Sequence, residues 1–528
     1  MSYKILILDG VNPVCEKVFK ERDMEAVNSP KLPKEELLKV LPDYDAMVVR
    51  SATKVTPDIL KAAKKLKIVG RAGVGVDNID IDAATQSGVL VMNTPNGNTI
   101  STAEHTCGMM LALARNIPVA VSTVKNGGWD RKKYMGTELH GKNLGIVGLG
   151  KIGSEVAARM QAFGMNILAF DPFTTHEKAS EIGVELVELD DLLSKSDFLT
   201  VHTPLTDKTK DLISKKNAQK LKKGIRLINC ARGGIYNEED MKELLENGTI
   251  AGLAVDVYTQ EPPSETFLEI LKMPNVVCTP HLGASTEEAQ EKVAEQVAQQ
   301  IADGLEKKSY KGSLNGKSIA LSTNKEVQPY LNLAEQLGQF AAQVSPKHSS
   351  KLSIEYTGKC TQYSDVLTDS LLKGYLQNEV DEAINLINAR FLADNKGLNI
   401  EETVTTASKT YSDLITVSFE NGSYHKISAT LFGGDDFRIV NIDEFSIEIR
   451  LEGNILLYRN IDKPGMLSTV STTLANEQIN IASLSLGRNK KGTNAITAIA
   501  VDQPLSDDHL KPIQELDGVK EVRYINLN

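Results

Sequence analysis

The chain has 528 residues, of which 41% are hydrophobic and 24% charged, so at roughly 100–200 residues per domain we expect three or four folded domains. Its 59 Lys and Arg residues against 69 Asp and Glu residues give a net charge of −10, which argues against a general nucleic-acid partner. No apolar run reaches the roughly 18 residues of a membrane span, and the five scattered cysteines lack CxxC spacing, which argues against a disulfide framework or a zinc site. We therefore expect a cytoplasmic protein with no metal site and no membrane partner.

In chain order, residues 1–285 alternate short Val/Ile/Leu runs with polar turns and helical stretches. The predicted strands are 5–8, 46–49, 68–70, 89–92, 145–148, 167–170, 198–202, 226–229, 251–255 and 276–278. Continuous apolar strands between helices are typical of a parallel sheet that is covered on both faces. This number of strands is large for one sheet, so the pattern predicts an α/β fold with two doubly wound parallel-sheet domains.

Two helices have predicted starts. The segments from Ser101 to Glu104 and from Ser285 to Glu288 both fit a capping box, in which the hydroxyl and the carboxylate bond to free backbone amides. A chain that crosses to a second sheet near residue 100 and returns near residue 290 would use these as linking helices. The first domain is then discontinuous, with residues 1–99 and 286–312, and the second domain spans 100–285.

The composition changes after residue 304, where Lys, Ser, Gly and Asn predominate and a domain boundary is indicated. Residues 317–445 contain strand-like segments at 352–356, 414–419 and 425–432 and a helical stretch around 380–392, without a catalytic signature. Residues 453–528 follow the order strand, helix, strand, strand, helix, strand, which is typical of a ferredoxin-like fold.

A dinucleotide-binding motif begins at the end of the strand LGIV. Gly148, Gly150 and Gly153 form GxGxxG at the start of a helix, and the next strand ends in Asp171. Glycines let the backbone approach a pyrophosphate, whose charge a helix N-terminus favours, while the carboxylate accepts hydrogen bonds from ribose hydroxyls. Asp171 would also repel a 2′-phosphate, so the motif favours NAD over NADP.

Three further motifs follow later strands of this domain, at the edge where open α/β sheets bind ligands. They are NCARGG with Arg232, DVYTQEPP with Asp256 and Glu261, and PHLGA with His281. An Arg can hold a carboxylate through two hydrogen bonds, and a His beside a carboxylate can exchange a proton with a hydroxyl group. Spacing alone leaves open a surface salt bridge, a structural His and a solvated loop carboxylate.

Taken together and in this order, these motifs resemble the D-isomer-specific 2-hydroxyacid dehydrogenase family. The resemblance implies that Arg232 orients and polarises the substrate, that His281 is the general acid and base, and that Glu261 is the partner of His281. It also implies a set of cofactor-binding residues, namely Gly148, Gly150, Lys151, Ile152, Gly153, Asp171, Thr203, Cys230, Ala231, Arg232, Asp256, His281, Gly283 and Ala284. For Cys230, a small buried apolar residue is the alternative.

Further segments are similar to the branch of this family that acts on 3-phosphoglycerate. They are VVRSATKV at 48–55, GRAGVGVDNID at 70–80, MNTPNGNT at 92–99, WDRKKYMGTEL at 129–139 and HTPLT at 202–206. This similarity implies oxidation of 3-phospho-D-glycerate to 3-phosphohydroxypyruvate with NAD, the first step of L-serine biosynthesis. It further implies an intervening domain at 317–445, an ACT domain at 453–528 and a homotetramer.

The substrate would need one site for its phosphate and one for its carboxylate. Arg50 and Arg71, each at the end of a strand, suit the phosphate, and Lys54 could assist. By resemblance, backbone amides of the turn with Gly73, Val74 and Gly75 bind the carboxylate, and Asn96 belongs to the same site. Val74 stands where some relatives carry a hydroxyl residue that touches the cofactor.

The stretch with Trp129, Arg131, Lys132 and Lys133 could reach a neighbouring subunit, although a solvated surface charge is the alternative for Lys132.

In the ACT segment, Asn460 and Asp462 lie in a loop before a helix, and Asn480 begins the next strand region. In ACT domains such residues bind a regulatory amino acid at a paired interface, so the resemblance implies L-serine as effector. A purely dimerising ACT domain is the alternative.

For the whole chain, two other functions stay open: a dehydrogenase for another D-2-hydroxy acid such as glycerate or glyoxylate, and a non-catalytic, NADH-sensing corepressor-like protein.

Overall fold

The computed structural model describes residues 2–30, 32–316, 318–345, 349–380, 382–405, 410–420 and 424–527. Parts of the predicted domain ranges therefore lie outside the described residues: Met1 and Lys31 in the first domain, Lys317, 346–348, Asp381, 406–409 and 421–423 in the third, and Asn528 in the fourth. Asp381 also belongs to the predicted helical stretch. The described residues form sheets of five, seven, six and four strands.

The first sheet is parallel throughout and has the strand order β2-β1-β3-β4-β5. Its elements are β1 (Lys4–Ile7), α1 (Val14–Lys20), β2 (Glu25–Asn28), α2 (Lys34–Val40), a 3₁₀ turn (Leu41–Asp43), β3 (Ala46–Val49), α3 (Pro57–Ala62), β4 (Ile68–Arg71), α4 (Ile81–Gln86) and β5 (Leu90–Asn93). Apolar clusters cover both of its faces. The strand β2 was not predicted, because it is a half-exposed edge strand of four residues.

The second sheet is also parallel and has the order β12-β11-β10-β9-β6-β7-β8. Its elements are β6 (Asn143–Val147), α7 (Lys151–Ala162), β7 (Asn166–Phe170), α8 (His176–Glu181), β8 (Glu185–Leu186), α9 (Leu189–Lys195), β9 (Phe198–Val201), a 3₁₀ turn (Ala218–Lys220), β10 (Ile225–Asn229), α10 (Glu238–Glu246), β11 (Ile250–Val255), α11 (Glu265–Leu271) and β12 (Val276–Cys278). The strand order reverses between β6 and β9, which is where open α/β sheets bind ligands. The two-residue strand β8 was not predicted.

Two long helices connect the sheets. After β5 the chain enters α5 (Thr99–Ala114), which packs on α7, and then α6 (Ile117–Lys125); after β12 it returns through α12 (Glu287–Leu305), which packs on β4. Both predicted capping boxes are wrong. The N-cap of α5 is Asn98, three residues before the predicted Ser101, and the cap of α12 is Thr286, whose hydroxyl accepts a hydrogen bond from the amide of Ala289.

The third and fourth sheets form the C-terminal half of the chain. Their elements are a 3₁₀ helix (Ser318–Thr323), α13 (Gln328–Val344), β13 (Lys351–Gly358), a 3₁₀ helix (Lys359–Tyr363), α14 (Ser364–Leu376), α15 (Ala389–Asn395), β14 (Asn399–Thr405), β15 (Asp413–Phe419), β16 (Lys426–Leu431), β17 (Phe437–Ile442), β18 (Phe445–Arg450), β19 (Asn454–Ile461), α16 (Met466–Asn476), β20 (Ile481–Arg488), β21 (Asn494–Val501), α17 (Asp507–Gln514) and β22 (Val519–Asn526). The helical stretch predicted around 380–392 is wrong in position, since α15 begins at Ala389.

The last sheet has the order β20-β21-β19-β22 and carries α16 and α17 on one face, which is the ferredoxin-like arrangement predicted for this segment. Its other face is part of the same apolar core as α13 and α14. Among the described residues, no single helix is long and apolar enough to cross a membrane, whereas α5 and α6 together, bent by 65°, meet that test by length and composition.

Candidate active site

The predicted site residues lie on two facing sheet edges. Arg50 follows β3 and Arg71 ends β4 in the first sheet, while Gly148, Arg232 and His281 follow β6, β10 and β12 in the second. Side chains meet across the space between these edges: Arg232 Nε lies 3.2 Å from Asp77 Oδ2, and Lys151 Nζ donates to Asn96 Oδ1. The carboxyl ends of both sheets therefore border one cleft.

His281 and Glu261 are in direct contact in this cleft. The imidazole Nδ1 atom lies 2.9 Å from both carboxylate oxygens, and both side chains are nearly half exposed. Because an ionised carboxylate can only accept, Nδ1 carries a proton and donates it to Glu261. The Nε2 atom is then the ring nitrogen that can exchange a proton with a bound hydroxyl or carbonyl group.

Arg232 reaches from the second sheet towards the glycine-rich turn of the first. Its Nη1 atom donates to the carbonyl oxygen of Ala231 at 2.6 Å, and its Nε atom pairs with Asp77. A Cβ atom at Gly75 would lie 1.8 Å from Arg232 Nη2, so the close approach of the guanidinium group requires glycine at this position. This contact places Arg232 beside the turn that includes Gly73, Val74 and Gly75.

Arg50, Arg71 and Arg232 form a positively charged cluster beside this turn. Burial, followed by the charge of Arg232, lowers the pKa of Arg71 to about 10, and the charge of Arg50 acts in the same direction. The Arg71 Nε atom is buried and has no hydrogen-bond partner among the described residues. Asp9 bonds to the backbone amide of Arg50, which fixes the loop after β3. Three neighbouring guanidinium groups with an unsatisfied donor suit an anion with more than one negative charge.

The other predicted substrate residues lie around this cluster. The carbonyl oxygen of Val74 accepts a hydrogen bond of 2.6 Å from Asn93 Nδ2, which holds the turn in place. Lys54 and Asn96 are exposed. Trp129 is 79% exposed, and it lies with Arg131, Lys132 and Lys133 on an exposed segment before β6.

The nucleotide motif has the geometry that a dinucleotide needs. Gly150 immediately precedes α7, and a Cβ atom there would meet no heavy atom within 4 Å, so the space above the helix N-terminus is open. A Cβ atom at Gly153 would lie 2.2 Å from the carbonyl oxygen of Gly148, so the helix can pack on the strand only with glycine there. Asp171 accepts hydrogen bonds from the amides of Leu149, Phe173 and Thr174, with lone pairs left for a ribose.

The remaining predicted cofactor residues line the same edge. Ile152 is half-buried on α7, Ala231 follows β10, and Gly283 and Ala284 follow His281. The Thr203 hydroxyl is buried without a hydrogen-bond partner in the described part of the chain, so it can bond to a bound molecule. Cys230 is buried, which raises the pKa of its thiol and keeps it neutral.

Asp256 is fully buried at the end of β11, and the structure shows what holds it there. Its carboxylate accepts hydrogen bonds from the Thr279 hydroxyl and from the amides of Leu282 and Gly283, and it lies 3.2 Å from His105 Nε2. Burial raises its pKa, but the hydrogen bonds from His105 and Thr279 outweigh burial, so the pKa is lowered overall. The assignment of Asp256 to cofactor binding stays a prediction.

Sequence reasoning missed His105, Thr102 and Thr279. His105 and Thr102 belong to α5, which was considered only as a linking helix. The available signal was the set of polar residues within an otherwise apolar helix, since both Thr102 and Thr106 are buried there. Their contacts are with residues more than 170 positions later in the chain.

The three predicted effector residues do not lie together within one chain. Asn460 and Asp462 border an open groove of about 490 Å³ at the end of β19, together with Met466, Leu467 and Leu486. Asn480 precedes β20, whose first residue pairs through Val501 with Asn454 at the start of β19. At about 3.3 Å per residue, the eight residues of β19 separate the two ends by more than 20 Å.

Within the groove, Asn460 offers an acceptor. Its Oδ1 atom is buried and has no hydrogen-bond partner among the described residues, while its Nδ2 atom donates to the carbonyl oxygen of Ile461. Asp462 accepts from the amide of Gly492 at 2.8 Å and lies 3.7 Å from Arg488 Nη1. Asn480 donates to Asp502 at the far end of the sheet.

Comparison with known families matches three segments. Residues 107–283 match the NAD-binding domain of the D-isomer-specific 2-hydroxyacid dehydrogenases, residues 326–443 the D-3-phosphoglycerate dehydrogenase intervening domain, and residues 454–518 the ACT domain. These matches confirm the resemblance on which the sequence predictions depend, the fold class and the NAD cofactor.

Similar proteins cover almost the whole chain. D-3-phosphoglycerate dehydrogenase from Archaeoglobus fulgidus is 40% identical over 99% of this chain and 100% of its own length, and the protein of that name from Bacillus subtilis is 41% identical over 98% of both chains. Among solved structures, D-lactate dehydrogenase from Aquifex aeolicus, complexed with NAD and lactic acid, is 27% identical, with a TM-score of 0.51 over 58% of this chain and 96% of that one.

Proposed function

Because the chain belongs to the D-3-phosphoglycerate dehydrogenase family, we propose that it oxidises 3-phospho-D-glycerate to 3-phosphohydroxypyruvate with NAD in the cleft described above. The observation that carries this function is the pairing of His281 and Glu261 in the same cleft as three neighbouring guanidinium groups. The pair of His281 and Glu261 exchanges a proton with a hydroxyl group, and the guanidinium cluster suits an acid that also bears a phosphate. In this role the enzyme catalyses the first step of L-serine biosynthesis.

Each part of the fold then has a separate task. Residues 1–99 and 286–312 bind the substrate, residues 100–285 bind NAD, residues 317–445 form the intervening domain, and residues 453–528 form the ACT regulatory domain. The sheet topology supports this division, because the first two sheets contribute opposite sides of the cleft. The catalytic residues are assigned to the NAD-binding side, and the phosphate-binding residues are assigned to the other.

The nucleotide loop fits NAD. The open N-terminus of α7 above Gly150 would hold the pyrophosphate, Asp171 would accept hydrogen bonds from the ribose, and the Thr203 hydroxyl would bond to the cofactor. When it is bound, NAD⁺ supplies the acceptor for the hydride that leaves C2 of the substrate. The carboxylate of Asp171 disfavours the additional phosphate of NADP by charge repulsion.

The protein residues position the substrate and move its proton. His281 Nε2 accepts the proton of the C2 hydroxyl group, and the resulting imidazolium ion is stabilised by Glu261 at Nδ1. Arg232 holds the carboxylate and the developing carbonyl group, since it lies beside the turn with Gly73 and Gly75. Arg50 and Arg71 bind the phosphate.

Lys151 belongs to the predicted cofactor residues and Asn96 to the predicted substrate residues, and their contact joins the two sides of the cleft. A side chain that links both sides helps to hold them together once the ligands are bound. Closure of such a cleft excludes water from the reacting atoms. Lys151 and Asn96 are therefore assigned to cofactor and substrate binding at the boundary between the two.

L-serine is the proposed effector. The buried Asn460 Oδ1 atom and the Asp462 carboxylate can accept hydrogen bonds from an ammonium group in the groove. Because Asn480 lies at the opposite end of the sheet, it can reach this groove only from a second copy of the chain. The effector site is therefore assigned to a paired interface between ACT domains.

A homotetramer is the proposed assembly, and two separate surfaces support it. Helix α6 has no buried residue, and Ile117, Val121 and Val124 on it are 47%, 45% and 56% exposed. On the ACT domain, Leu484 and Leu486 are 40% and 45% exposed on the edge strand β20. A second copy at each surface would cover them and produce a tetramer with two kinds of interface. The cytoplasm is the proposed location, in keeping with five free cysteines.

The test is the initial rate of nicotinamide reduction by the full-length enzyme with 3-phospho-D-glycerate. Unphosphorylated D-glycerate, NADP⁺ in place of NAD⁺ and added L-serine are compared in the same assay. We expect a preference for the phosphorylated acid and for NAD⁺, and inhibition by serine. Activity with D-glycerate but not with its phosphate would assign the enzyme to a different D-2-hydroxy acid, and no activity with either acid would contradict the proposed function.

A further inference from the structure

The loop that carries His281 is fastened at both ends to helix α5. At the first end, His105 Nε2 lies 3.1 Å from the Thr279 hydroxyl. At the other end, the Thr102 hydroxyl donates to the carbonyl oxygen of Gly283 at 3.1 Å, and both of these residues are buried. The two contacts are one helical turn apart on α5, so a single face of the helix holds the whole loop.

The buried carboxylate of Asp256 is hydrogen-bonded to the same loop. Its Oδ1 atom accepts from the Thr279 hydroxyl at 2.6 Å and from the amide of Leu282 at 2.7 Å, and its Oδ2 atom accepts from the amide of Gly283 at 2.8 Å. The loop on both sides of His281 is therefore bonded to one buried carboxylate. Removal of a donor to this carboxylate leaves a buried charge with fewer partners.

The hydrogen-bond directions determine the role of His105. A threonine hydroxyl has one proton, and Thr279 donates it to Asp256, which can only accept. In the contact between Thr279 and His105 the hydroxyl oxygen is therefore the acceptor, so the Nε2 atom of His105 carries the proton. The same N–H group also points towards Asp256 Oδ1 at 3.2 Å. His105 is thus a hydrogen-bond donor to both the Thr279 hydroxyl and the Asp256 carboxylate.

The backbone at His281 depends on such support. Its φ angle is +58°, a left-handed conformation that residues other than glycine seldom adopt, and its amide donates to the carbonyl oxygen of Thr279 at 3.0 Å. A conformation of this kind persists when the surrounding contacts fix it. The contacts at Thr279 and Gly283 fix the residues on both sides.

We propose that His105 and Thr102 are positioning residues that hold the 279–283 loop so that the imidazole of His281 faces the substrate. They act through Thr279, Gly283 and Asp256 and do not touch the reacting atoms. Helix α5 is the first element after the chain leaves β5, so the loop is fastened to the segment that joins the two sides of the cleft. The inference rests on the proposed function, since it assigns His281 a proton-transfer role.

The experiment compares full-length wild type with His105→Leu, His105→Gln and a control, His176→Leu, which replaces an exposed histidine on α8. Glutamine places an N–H group near the position of Nε2, whereas leucine cannot donate. Two quantities are measured: kcat and KM in steady-state assays, and the rate of amide hydrogen exchange in residues 279–284 of the free enzyme.

We expect His105→Leu to lower kcat by about 10- to 100-fold, as misplacement of a catalytic group does, while the KM for NAD⁺ changes less than about threefold. Exchange at 279–284 accelerates in this variant, and His105→Gln restores most of both properties. A His105→Leu enzyme with wild-type kcat and wild-type exchange at 279–284 would overturn the proposal. So would a loss that His105→Gln does not repair.

If His105→Leu does not fold, Thr102→Val decides, because it preserves side-chain shape and removes only the bond to Gly283. It must show the same fall in kcat and the same local increase in exchange, and unchanged values would overturn the proposal. The exchange measurement needs no substrate. A wild-type enzyme that does not oxidise 3-phospho-D-glycerate would therefore contradict the proposed function, while exchange still reports whether α5 holds the loop.

Discussion

His281 Nδ1 lies 2.9 Å from each carboxylate oxygen of Glu261, although the two residues are 20 positions apart in the chain. The symmetric contact fixes the ring plane and leaves Nε2 for the substrate. In the proposed reaction, the neighbouring carboxylate stabilises the imidazolium ion that forms when the hydroxyl proton is removed.

Replacement of His281 by alanine should lower kcat by about 10²- to 10⁴-fold, because general acid–base catalysis contributes rate factors of that size. Glu261→Gln keeps the size of the side chain but removes its charge, and we expect a smaller loss of kcat. Steady-state kinetics with 3-phosphohydroxypyruvate and NADH measure both effects, with the exposed His176→Ala as the control. Unchanged turnover in the His281 variant would rule out its assignment as the acid and base.

Arg71 is expected to discriminate between phosphorylated and unphosphorylated substrates. Arg71→Met removes a guanidinium group whose pKa is lowered to about 10 by burial and by the charges of Arg232 and Arg50, a repulsion that a bound phosphate relieves. We predict a fall of about 100-fold in kcat/KM for 3-phosphohydroxypyruvate, which corresponds to about 2.7 kcal/mol and lies within the roughly 1.5–3 kcal/mol of a hydrogen bond to a charged group. The value for hydroxypyruvate should change far less.

The control for this prediction is Arg115→Met, which removes an exposed guanidinium group at the end of α5. Its kinetic constants should stay near those of wild type with both substrates. If Arg71→Met reduced kcat/KM equally for the phosphorylated and the unphosphorylated acid, Arg71 would not be the phosphate ligand. A carboxylate-binding or structural role would then replace it.

Asp171 is predicted to exclude NADP. In Asp171→Asn the charge is lost, but one side-chain oxygen still accepts from the backbone, where the carboxylate now accepts from Leu149 and Phe173. The ratio of kcat/KM for NADH to that for NADPH should fall by about tenfold, since a like charge no longer opposes the 2′-phosphate. Initial rates with both cofactors provide this ratio. A variant that keeps the wild-type ratio would show that another group selects the cofactor.

Asp256 should make the free energy of unfolding depend on pH in the acid range. Its pKa is lowered, since the hydrogen bonds that it accepts outweigh burial. A carboxylate with a lowered folded-state pKa stabilises the fold fully above its ordinary pKa of about 3.9, and this contribution is lost as the pH falls through the folded-state value. Asp256→Asn should therefore lower Tm most at neutral pH, where about 1–3 kcal/mol of stabilisation is lost.

Thermal unfolding at pH 7, 5, 4 and 3 would measure this difference, with the exposed Asp508→Asn as a matched control. The gap in Tm between wild type and Asp256→Asn should stay constant down to about pH 5 and narrow below about pH 4. A gap that widens on acidification would mean that Asp256 is protonated in the folded protein, in contradiction to the four donors around it.

The nucleotide motif was predictable because its information is local. Gly148 and Gly150 lie between a strand and a helix, Gly153 is in that helix, and Asp171 directly follows the next strand, so a short segment contains the whole motif. The strands of both parallel sheets were also predictable from apolar runs. The exceptions are β2 and β8, which lie at sheet edges and have exposed residues.

Contacts between distant segments were not predictable. His105 lies 174 positions before Thr279, and no local pattern connects them. Helices α13 and α14 were missed although both are largely buried. Each has an interior glycine, Gly338 and Gly374, which lowers helix propensity but allows the two helices to touch: a Cβ at either would lie 2.0 Å from a carbonyl oxygen of the other helix. The separation of Asn480 from Asp462 likewise follows from strand direction.

In the proposed reaction, C2 of 3-phospho-D-glycerate loses a hydride while His281 takes the hydroxyl proton. The most direct measurement uses substrate deuterated at C2 with NAD⁺, followed by mass spectrometry of the reduced nicotinamide. We predict one deuterium in the NADH formed by wild type, and formation of this product at least about 100-fold more slowly by His281→Ala. Deuterium released to water, or NADH formed equally well by the His281 variant, would contradict the account.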